Sequence, residues 1–282
     1  MGDALTRAAR LADQLVEALR VFWLWLPVPL SFFRGGQPSP LIVSMTSYPA
    51  RIEKAWISIE TLLRQSMAPS RLILFLAVED FPDQKLPRMI CRQQKRGLEV
   101  MWTSPDGRSF DKLLPAMKLF PDSPIVTVDD DKYFPRNLLA QLVEGSAQAP
   151  GAIVGARGWI IHLRASVPTY GDNWTRAKHG DTGPKLLMPG GNGCLYPPHS
   201  LHRAAHALDD ALRICPTADD IWFWAAATKN ESPMLCLGMP PHRPVDAQAK
   251  TESLAAKNKD ANSEQFRAAI QHFAIDTDRI IG

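Results

Sequence analysis

The chain has 282 residues, of which 45% are hydrophobic and 22% are charged, a composition typical of a globular protein with one large core or two small ones. Its formal net charge of +3 is too small to indicate nucleic acid as a main partner. The four cysteines are widely separated. This excludes a C-x-x-C metal or redox motif and predicts buried free thiols in a reducing compartment.

Residues 1–36 form a segment with its own pattern. Apolar residues recur at helical spacing from Leu5 to Leu19, and an apolar run broken by two prolines follows from Val21 to Phe33. The run is too short and too broken to span a bilayer, and its flanks do not fit a secretory signal. Two alternatives remain open. Residues 3–33 lie in a membrane interface, which places a cytoplasmic protein at the inner face of the membrane, or they pack on the protein core or a partner chain.

Strands alternate with helices between residues 37 and 150. Short apolar runs predict four buried strands, at Leu41–Met45, Leu72–Val78, Leu98–Trp102 and Ile125–Val128. Helices are predicted between them, including one from Asp111 to Phe120 despite Pro115. This alternation predicts an α/β fold, a three-layer sandwich around a mostly parallel central sheet.

The second half, residues 151–282, is less regular. Strands are predicted at Ala152–Arg157 and Met234–Gly238, and helices are predicted at His199–Arg213, Thr217–Lys229 and Glu264–Phe273. The glycine- and proline-rich stretch from Arg164 to Gly193 is longer than a passive connection in a compact domain.

Three consecutive carboxylates follow the fourth strand. On an extended backbone Asp129 and Asp131 point to one side and Asp130 points to the other. Paired carboxylates of this kind suit a hard divalent ion such as Mg²⁺ or Mn²⁺, which is often shared with substrate phosphates. The alternative is a solvated acidic turn with Lys132 as partner. Since ligands bind beyond the carboxyl ends of parallel strands, the position favours the metal.

Five segments together resemble bacterial glycosyltransferases of the GT-A fold, of the family 2-like type annotated around capsule or lipopolysaccharide glycan synthesis. The resemblance runs from about Leu41 to Gly238 and makes residues 37–282 one glycosyltransferase domain. Its nucleotide-binding half is residues 37–150 and its acceptor half, with the tail, is residues 151–282. The segments are "IVSMTSYPARIEKAWISIETLLRQSMAPSRLILFLAVEDFP", "GLEVMW" with "RSFDKLLPA", "IVTVDDD", "GGNGCLYPP" and "PTADDIWFW".

The resemblance implies a nucleotide site in the first half. The residues it places there are Thr46, Ser47, Tyr48, Arg51, Glu79, Asp80, Asp106, Lys112, Asp129 and Asp130. Tyr48 is expected to flank the base, Arg51 and Lys112 to contact phosphate, and Glu79 or Asp80 to accept from the base. The charged residues also have structural interpretations. Arg51 could be a surface arginine that opens a helix, Lys112 a solvated helix lysine, and Glu79 and Asp80 part of a charged turn. An Asx-turn is favoured for Asp106.

The resemblance also implies an acceptor site and a catalytic base. Gly190, Gly191, Asn192 and Gly193 offer a flexible backbone to the sugars, although a tight turn before a strand explains them as well. Trp222 is expected to present a ring face to a sugar. Asp220, slightly favoured over Asp219, is expected to deprotonate the acceptor hydroxyl.

Three further interpretations concern the same half. A Thr217–Asp220 capping box would give Asp220 a structural role instead, and Asp219 would then favour the helix dipole. His242 is expected to complete a metal shell with Asp129 and Asp131, although a lone histidine is more often structural.

The function predicted from the sequence is metal-dependent sugar transfer using Mn²⁺ or Mg²⁺. The donor is a nucleoside-diphosphate sugar, with uridine expected by resemblance. The acceptor is a hydroxyl of a glycan or a lipid-linked molecule, and a carboxylate base implies inversion at the anomeric carbon. The alternatives are a sugar-nucleotide nucleotidyltransferase and a non-catalytic glycan- or metal-binding module.

Overall fold

The computed structural model describes residues 15–26, 29, 39–162, 169–171, 174–246, 259–277 and 280. The strands of the main sheet are β1 (Ile42–Thr46), β2 (Arg71–Ala77), β3 (Leu98–Thr103), β4 (Ile125–Val128), β6 (Ile153–Gly155), β10 (Asn192–Tyr196) and β11 (Met234–Cys236). Two short strands, β5 (Lys132–Tyr133) and β12 (Arg243–Pro244), pair with each other. A separate three-stranded sheet contains β7 (Trp159–Ile160), β8 (Thr175–Arg176) and β9 (Leu186–Leu187).

The helices are α1 (residues 15–25), α2 (Pro49–Leu63), α3 (Arg88–Gln94), α4 (Leu114–Leu119), α5 (Leu138–Gln148), α6 (Leu208–Ile214), α7 (Asp219–Lys229) and α8 (Lys259–His272). Two 3₁₀ helices, Arg108–Lys112 and Arg203–His206, precede α4 and α6.

The seven-stranded sheet confirms the predicted α/β class. Its strand order is β11-β6-β10-β4-β1-β2-β3, and only β10 runs against its neighbours. The carboxyl ends of the other six strands therefore meet at one edge, together with the start of β10. Because the sheet contains strands from both halves of the chain, residues from both halves reach that edge.

Apolar side chains fill both faces of the sheet, which confirms the three layers. Successive side chains of β1 point to opposite faces of the sheet, since Ile42 packs in the core cluster on one face and Val43 packs in the cluster on the other. Helices α2, α3 and α5 cover one face, and helices α4, α6, α7 and α8 cover the other. Helix α7 is buried all round from Ile221 to Thr228, as expected for a helix at the centre of a layer.

Two predicted helices differ from the structure. The helix predicted from Asp111 begins only at Leu114, because Pro115 is tolerated in a first helical turn but not inside a helix. The helix predicted from His199 to Arg213 is a 3₁₀ turn followed by α6. The glycines before β10 lead into a strand that pairs with β4 and β6, which fits the alternative of a tight turn before a strand.

Helix α1 is attached to the domain through its carboxyl end. The guanidinium of buried Arg64 donates to the carbonyls of Trp23, Leu24 and Leu26 at 2.7 to 3.1 Å, which satisfies groups that a helix end leaves unpaired. Glu17 accepts from the hydroxyl of Tyr133 and pairs with Arg243 at 2.6 Å. The predicted helix from Leu5 begins outside the described residues. Within the part of the chain that the structure describes, no helix is long and apolar enough to cross a membrane.

Candidate active site

Charged side chains converge at the carboxyl edge of the sheet. The loops after β1 and β4 bring Ser47 and the three aspartates together, and the 3₁₀ helix after β3 brings Lys112. The loop before β10 and the start of α7 complete the edge. Parallel α/β sheets bind ligands at this edge, so the arrangement marks the candidate site.

Asp129, the first residue after β4, is held by two lysines. One carboxylate oxygen lies 2.9 Å from Lys112 Nζ and the other lies 2.7 Å from Lys132 Nζ. Burial alone would raise the pKa of Asp129, but the two ammonium groups outweigh burial and hold it well below its usual value. Asp129 is therefore a half-buried group that stays ionised in this structure.

Asp130 and Asp131 share Arg51. The Arg51 guanidinium lies 3.1 Å from Asp130 and 3.0 Å from Asp131, and Ser47 Oγ donates to Asp130 at 2.5 Å. The predicted alternation, with Asp129 and Asp131 on one side, is wrong, because the chain leaves the extended conformation and turns at Asp130. Burial raises the pKa of Asp130, although Ser47 and Arg51 oppose that shift. Asp131 Oδ1 is buried and has no hydrogen-bond partner among the described residues.

Lys112 links the aspartate motif to α7. Its ammonium group is buried and lies 3.2 Å from Asp219 Oδ2 as well as 2.9 Å from Asp129. Burial alone would lower the pKa of Lys112, but Asp129, Asp219 and Asp220 together raise it well above its usual value. Thus one buried cation joins carboxylates that lie far apart in the sequence. The alternative interpretation of Lys112 as a solvated lysine on a helix is therefore excluded.

Asp220 occupies a different environment from Asp219. Its Oδ1 accepts a hydrogen bond from the Gly190 amide at 2.8 Å. Burial, then the charge of neighbouring Asp219, raises the pKa of Asp220 to about 7, against the opposing effects of Lys112 and of the Gly190 amide. A carboxyl group with a pKa near neutrality can accept or release a proton under physiological conditions, which suits it to general base catalysis.

The predicted capping box at the start of α7 is wrong. The N-cap is Ala218, which has no side chain able to cap, and Thr217 Oγ1 instead accepts from Gln265 Nε2 at 2.9 Å. Asp220 therefore does not cap the helix.

The glycine segment before β10 lies against both acidic groups. A Cβ at Gly191 would lie 1.8 Å from Asp129 Oδ2, and a Cβ at Gly190 would lie 3.5 Å from Asp220 Oδ1. Gly193 has a φ of +95°, a conformation that favours glycine. Asn192, by contrast, is a β10 residue paired with Val128. The close backbone approach explains the glycine at 191.

Gly191→Ala is expected to displace Asp129 and to lower the thermal midpoint by several degrees, because the clash involves a carboxylate held by two lysines rather than a flexible surface group. Differential scanning fluorimetry measures the effect. Gly151→Ala is a control for strain alone, since Gly151 has a φ of +78° but no atom within 4 Å of an added Cβ. Equal losses for the two variants would contradict the packing argument.

His242 lies beside the glycine segment. Its Nε2 is 2.8 Å from the Asn192 carbonyl oxygen, so Nε2 carries the proton and donates. Burial lowers the pKa of His242 and favours the neutral ring. The described residues contain no group of three or more potential metal ligands, so Asp129, Asp131 and His242 are not assembled as a ligand set, and that set stays a prediction.

Three other residues predicted for the nucleotide site lie at or just after the carboxyl ends of β1 and β3. Tyr48 is exposed, with the Arg51 guanidinium carbon 5.6 Å from its ring centroid. Thr46 Oγ1 donates to the Phe75 carbonyl at 3.0 Å, a bond within the sheet. Asp106 accepts from the Arg108 amide at 2.7 Å, which confirms the Asx-turn.

The two acids after β2 are exposed. Glu79 accepts from Ser104 Oγ at 2.7 Å, a hydrogen bond that lowers the pKa of Glu79. Partial burial, then the charges of Asp106 and Glu79, raise the pKa of Asp80. No contact identifies either as a base-binding group, and their role stays a prediction.

Asp111, an acid close to the site, was not selected from the sequence, and Trp222 was assigned the wrong role. Asp111 is buried, accepts from Thr103 Oγ1 at 2.7 Å and from the Gly107 amide at 3.2 Å, and burial raises its pKa to about 6. Its position next to Lys112 was the only available signal. Trp222 is fully buried and donates to the Ala205 carbonyl at 3.0 Å. It is a core residue in this structure, so the prediction that it binds sugar is wrong.

No protein-family model and no curated protein matches this chain. Among solved structures, a fragment of S. aureus TarS, residues 1–349, is 13% identical with a TM-score of 0.48, over 84% of this chain and 73% of that one. The mannosyltransferase PcManGT from Pyrobaculum calidifontis, solved with GDP-Man and Mn²⁺, is 16% identical with a TM-score of 0.47, over 95% of this chain and 74% of that one.

A third solved structure, 4-diphosphocytidyl-2C-methyl-D-erythritol synthase, is 14% identical with a TM-score of 0.43, over 76% of this chain and 98% of that one. At such low identities and TM-scores the likeness assigns no activity to this chain.

Proposed function

We propose that this protein transfers a sugar from a nucleoside-diphosphate sugar, uridine-linked in the first instance, to a hydroxyl of a glycan or lipid-linked acceptor. The observation that supports the proposal is the buried Lys112 bridge. It holds the ionised Asp129 of the aspartate motif close to Asp219 and to Asp220, whose pKa of about 7 suits a base. Groups for a diphosphate and a base for an acceptor thus lie at one edge of the sheet.

The donor would lie along the loop after β1. Exposed Tyr48 offers an aromatic ring to the base, and Arg51, beside it, offers a guanidinium to the diphosphate. Lys132 is partly exposed, and it contacts both Asp129 and the Gly191 carbonyl. The positive charges of Arg51, Lys112 and Lys132 would stabilise the negative charge that develops on the departing diphosphate.

Asp220 would activate the acceptor. As the acceptor hydroxyl oxygen bonds to the anomeric carbon, its proton passes to the Asp220 carboxylate, and the bond from that carbon to the diphosphate oxygen breaks. Attack opposite the leaving group inverts the anomeric configuration. The Gly190 amide fixes the Asp220 carboxylate, and Asp219, ion-paired with Lys112, is assigned to positioning.

A divalent ion, Mn²⁺ or Mg²⁺, fits part of this site. The buried Oδ1 of Asp131 lacks a hydrogen-bond partner in the part of the chain that the structure describes. The neutral His242 ring donates through Nε2 to a carbonyl, the usual arrangement behind a metal-bound histidine. Asp131, His242 and Asp129 are the residues that would hold the ion. When bound, such an ion would neutralise diphosphate charge.

A donor screen by thermal shift tests the proposal. We expect one nucleoside-diphosphate sugar to raise the thermal midpoint, with a larger shift in the presence of Mn²⁺. Asp131→Asn should remove the Mn²⁺-dependent part, whereas Asp122→Asn, at a surface position away from the motif, should retain it. The absence of any donor-dependent shift would contradict the proposal. A full Mn²⁺ effect in Asp131→Asn would contradict the metal assignment.

We also propose that α1 places this site at the inner face of a membrane. Leu15, Leu19 and Phe22 lie on one helical face, each more than half exposed, and Trp25 is 51% exposed at the end of the helix. A bilayer interface suits this surface, since tryptophan and phenylalanine partition there and Arg20 and Arg92 lie nearby for anionic headgroups. The contacts of Glu17 with Tyr133 and Arg243 connect α1 to β5 and β12, close to the aspartate motif.

Phe22→Glu is expected to weaken binding to vesicles containing phosphatidylglycerol by about tenfold or more, because burial of one such side chain contributes about 1.5–3 kcal/mol. Vesicle co-sedimentation measures the change. Leu119→Glu is the matched control, since Leu119 is 54% exposed on α4, outside α1. Equal vesicle binding by wild type, Phe22→Glu and Leu119→Glu would exclude α1 as the membrane contact.

A further inference from the structure

An aromatic residue and two arginines lie on or next to the small three-stranded sheet, and the function proposed above does not use them. Trp159 is 39% exposed although it belongs to a strand, and Arg176 on the neighbouring strand is also exposed. Arg157 lies just before β7 and is half-buried. This cluster of Arg157, Trp159 and Arg176 is called the β7–β8 cluster below.

The topology places the β7–β8 cluster beside the candidate active site. Arg157 follows β6, whose carboxyl end lies at the same sheet edge as Asp129. The Ala156 amide donates to the Gly193 carbonyl at 2.8 Å, which joins this strand end to the glycine segment. The cluster is therefore next to the space assigned to the acceptor.

Strand register and charge proximity bring the three side chains together. Trp159 pairs directly with Arg176, so these two side chains are on the same side of the sheet. The Ala177 amide donates to the Gly158 carbonyl at 3.0 Å, which extends the pairing towards Arg157. The chain bends at Arg157, so strand alternation does not set the direction of this side chain, but Arg176 lies close enough for its charge to lower the pKa of Arg157.

The arginines have no acidic partner within the described part of the chain. Arg157 Nε is buried and makes no hydrogen bond there. Burial and then the charge of Arg176 lower the pKa of Arg157, which is the effect of two cations held close without an anion between them. Asp181, which follows β8 in the chain, instead accepts from the Lys178 amide at 2.7 Å.

Leaving a buried guanidinium nitrogen unpaired is costly, and an external anion would remove that cost. Arginine forms two parallel hydrogen bonds with a carboxylate or a phosphate, and an indole ring packs against the apolar face of a sugar. A charged substituent on a sugar matches both parts of the cluster at once.

We infer that the β7–β8 cluster is an acceptor subsite for a sugar that carries a carboxylate or a phosphate, with Arg157 and Arg176 binding the anion and Trp159 packing on the ring. This inference deepens the proposed function and rests on it for the meaning of the subsite in catalysis. Binding of the anionic sugar itself requires no donor.

The test compares matched glycans in the absence of donor. A panel of tetrasaccharides, each prepared in neutral, C6-carboxylate and C6-phosphate forms, is titrated against the full-length protein by isothermal titration calorimetry. At least one anionic form should bind about tenfold or more tightly than its neutral counterpart, and Arg157→Gln should remove that preference. Whichever of the carboxylate and phosphate series binds better identifies the natural substituent.

Three variants make the result specific. Arg176→Gln, at an exposed position, should reduce the preference for anionic forms without affecting folding. Trp159→Ala should weaken the binding of neutral and anionic forms alike. Lys178→Gln, a nearby exposed cation, should bind as the wild type does. Equal binding of neutral and anionic forms by the wild type, or the same loss with Lys178→Gln as with Arg176→Gln, would overturn the inference.

The donor screen separates this result from the proposed function. If a nucleotide sugar stabilises the protein but the anionic preference is missing, the subsite is wrong and the transferase proposal stands. If the anionic preference is present but no donor binds, the subsite stands as a glycan-binding site and the transferase proposal falls.

Discussion

Asp220→Asn is expected to lower the rate of sugar transfer by about 10²- to 10⁴-fold and, at the same time, to stabilise the protein at neutral pH. The loss of activity follows because an amide cannot take the acceptor proton. The gain in stability follows because Asp220 is desolvated and lies beside the charge of Asp219. An uncharged side chain of the same shape removes the repulsion between the two carboxylates, while its oxygen still accepts from the Gly190 amide.

The raised pKa of Asp220 determines how stability and activity should change with pH. The pKa of Asp220 is about 7 in the folded protein, against 3.8 for an ordinary aspartate. Between these values the folded state binds a proton that the unfolded state has released, so this group makes the protein less stable as the pH rises. The advantage of Asp220→Asn should grow from about pH 4 to about pH 7, and wild-type kcat/KM should rise with pH through about 7.

Thermal unfolding and initial rates across this pH range measure the two effects. Asp219→Asn is the matched control at the adjacent position. It should destabilise the protein, since it removes a partner of Lys112, and should retain more activity than Asp220→Asn. If Asp220→Asn kept wild-type activity while Asp219→Asn lost it, the roles of the two carboxylates would be reversed.

Lys112→Met is expected to destabilise the protein by about 3–5 kcal/mol, because it leaves buried Asp219 and half-buried Asp129 without their shared cation. The thermal midpoint should fall by roughly 10 °C. Burial would then act on Asp129 with only Lys132 to oppose it, so the deficit should shrink as the pH falls and the carboxyl groups are protonated.

Lys118→Met is the control for Lys112→Met, since Lys118 is exposed on α4 and its loss should change the stability by no more than about 0.5 kcal/mol. Chemical denaturation of both variants at several pH values measures the difference. A deficit no larger than that of Lys118→Met would show that Lys112 is not the cation that holds the two acidic segments together.

The sheet and its ligand edge could be predicted from the sequence because they depend on short-range patterns. Continuous apolar runs identify β1 to β4, and parallel strands bring their carboxyl ends together, so Asp129 and Lys112 could be assigned to one edge. Strand β10 was expected only as the strand that follows a turn in one alternative. Its antiparallel pairing with β4 and β6 was not predicted, because glycines and prolines surround it and its stability comes from those two neighbours.

The partners within the site could not be predicted, because they depend on contacts between distant segments. Nothing local to Lys112 indicates Asp219 as its second partner. The spacing of Trp222 and Trp224 shows only that they face different ways, whereas both are buried because α7 is covered on all sides. The turn at Asp130 likewise depends on Ser47 and Arg51, which reach it from the loop after β1.

Analysis of the reaction products tests the central claim most directly. The protein is incubated with Mn²⁺, a panel of nucleoside-diphosphate sugars and neutral and anionic oligosaccharide acceptors, and phosphorus NMR follows the nucleotide. The account predicts release of one nucleoside diphosphate per sugar added to an acceptor hydroxyl, and strong loss of both products in Asp220→Asn. A parallel incubation supplies nucleoside triphosphates and sugar phosphates instead of the nucleotide sugars. Pyrophosphate release in that incubation, with no transfer to any acceptor in the first, would contradict the account and identify a nucleotidyltransferase.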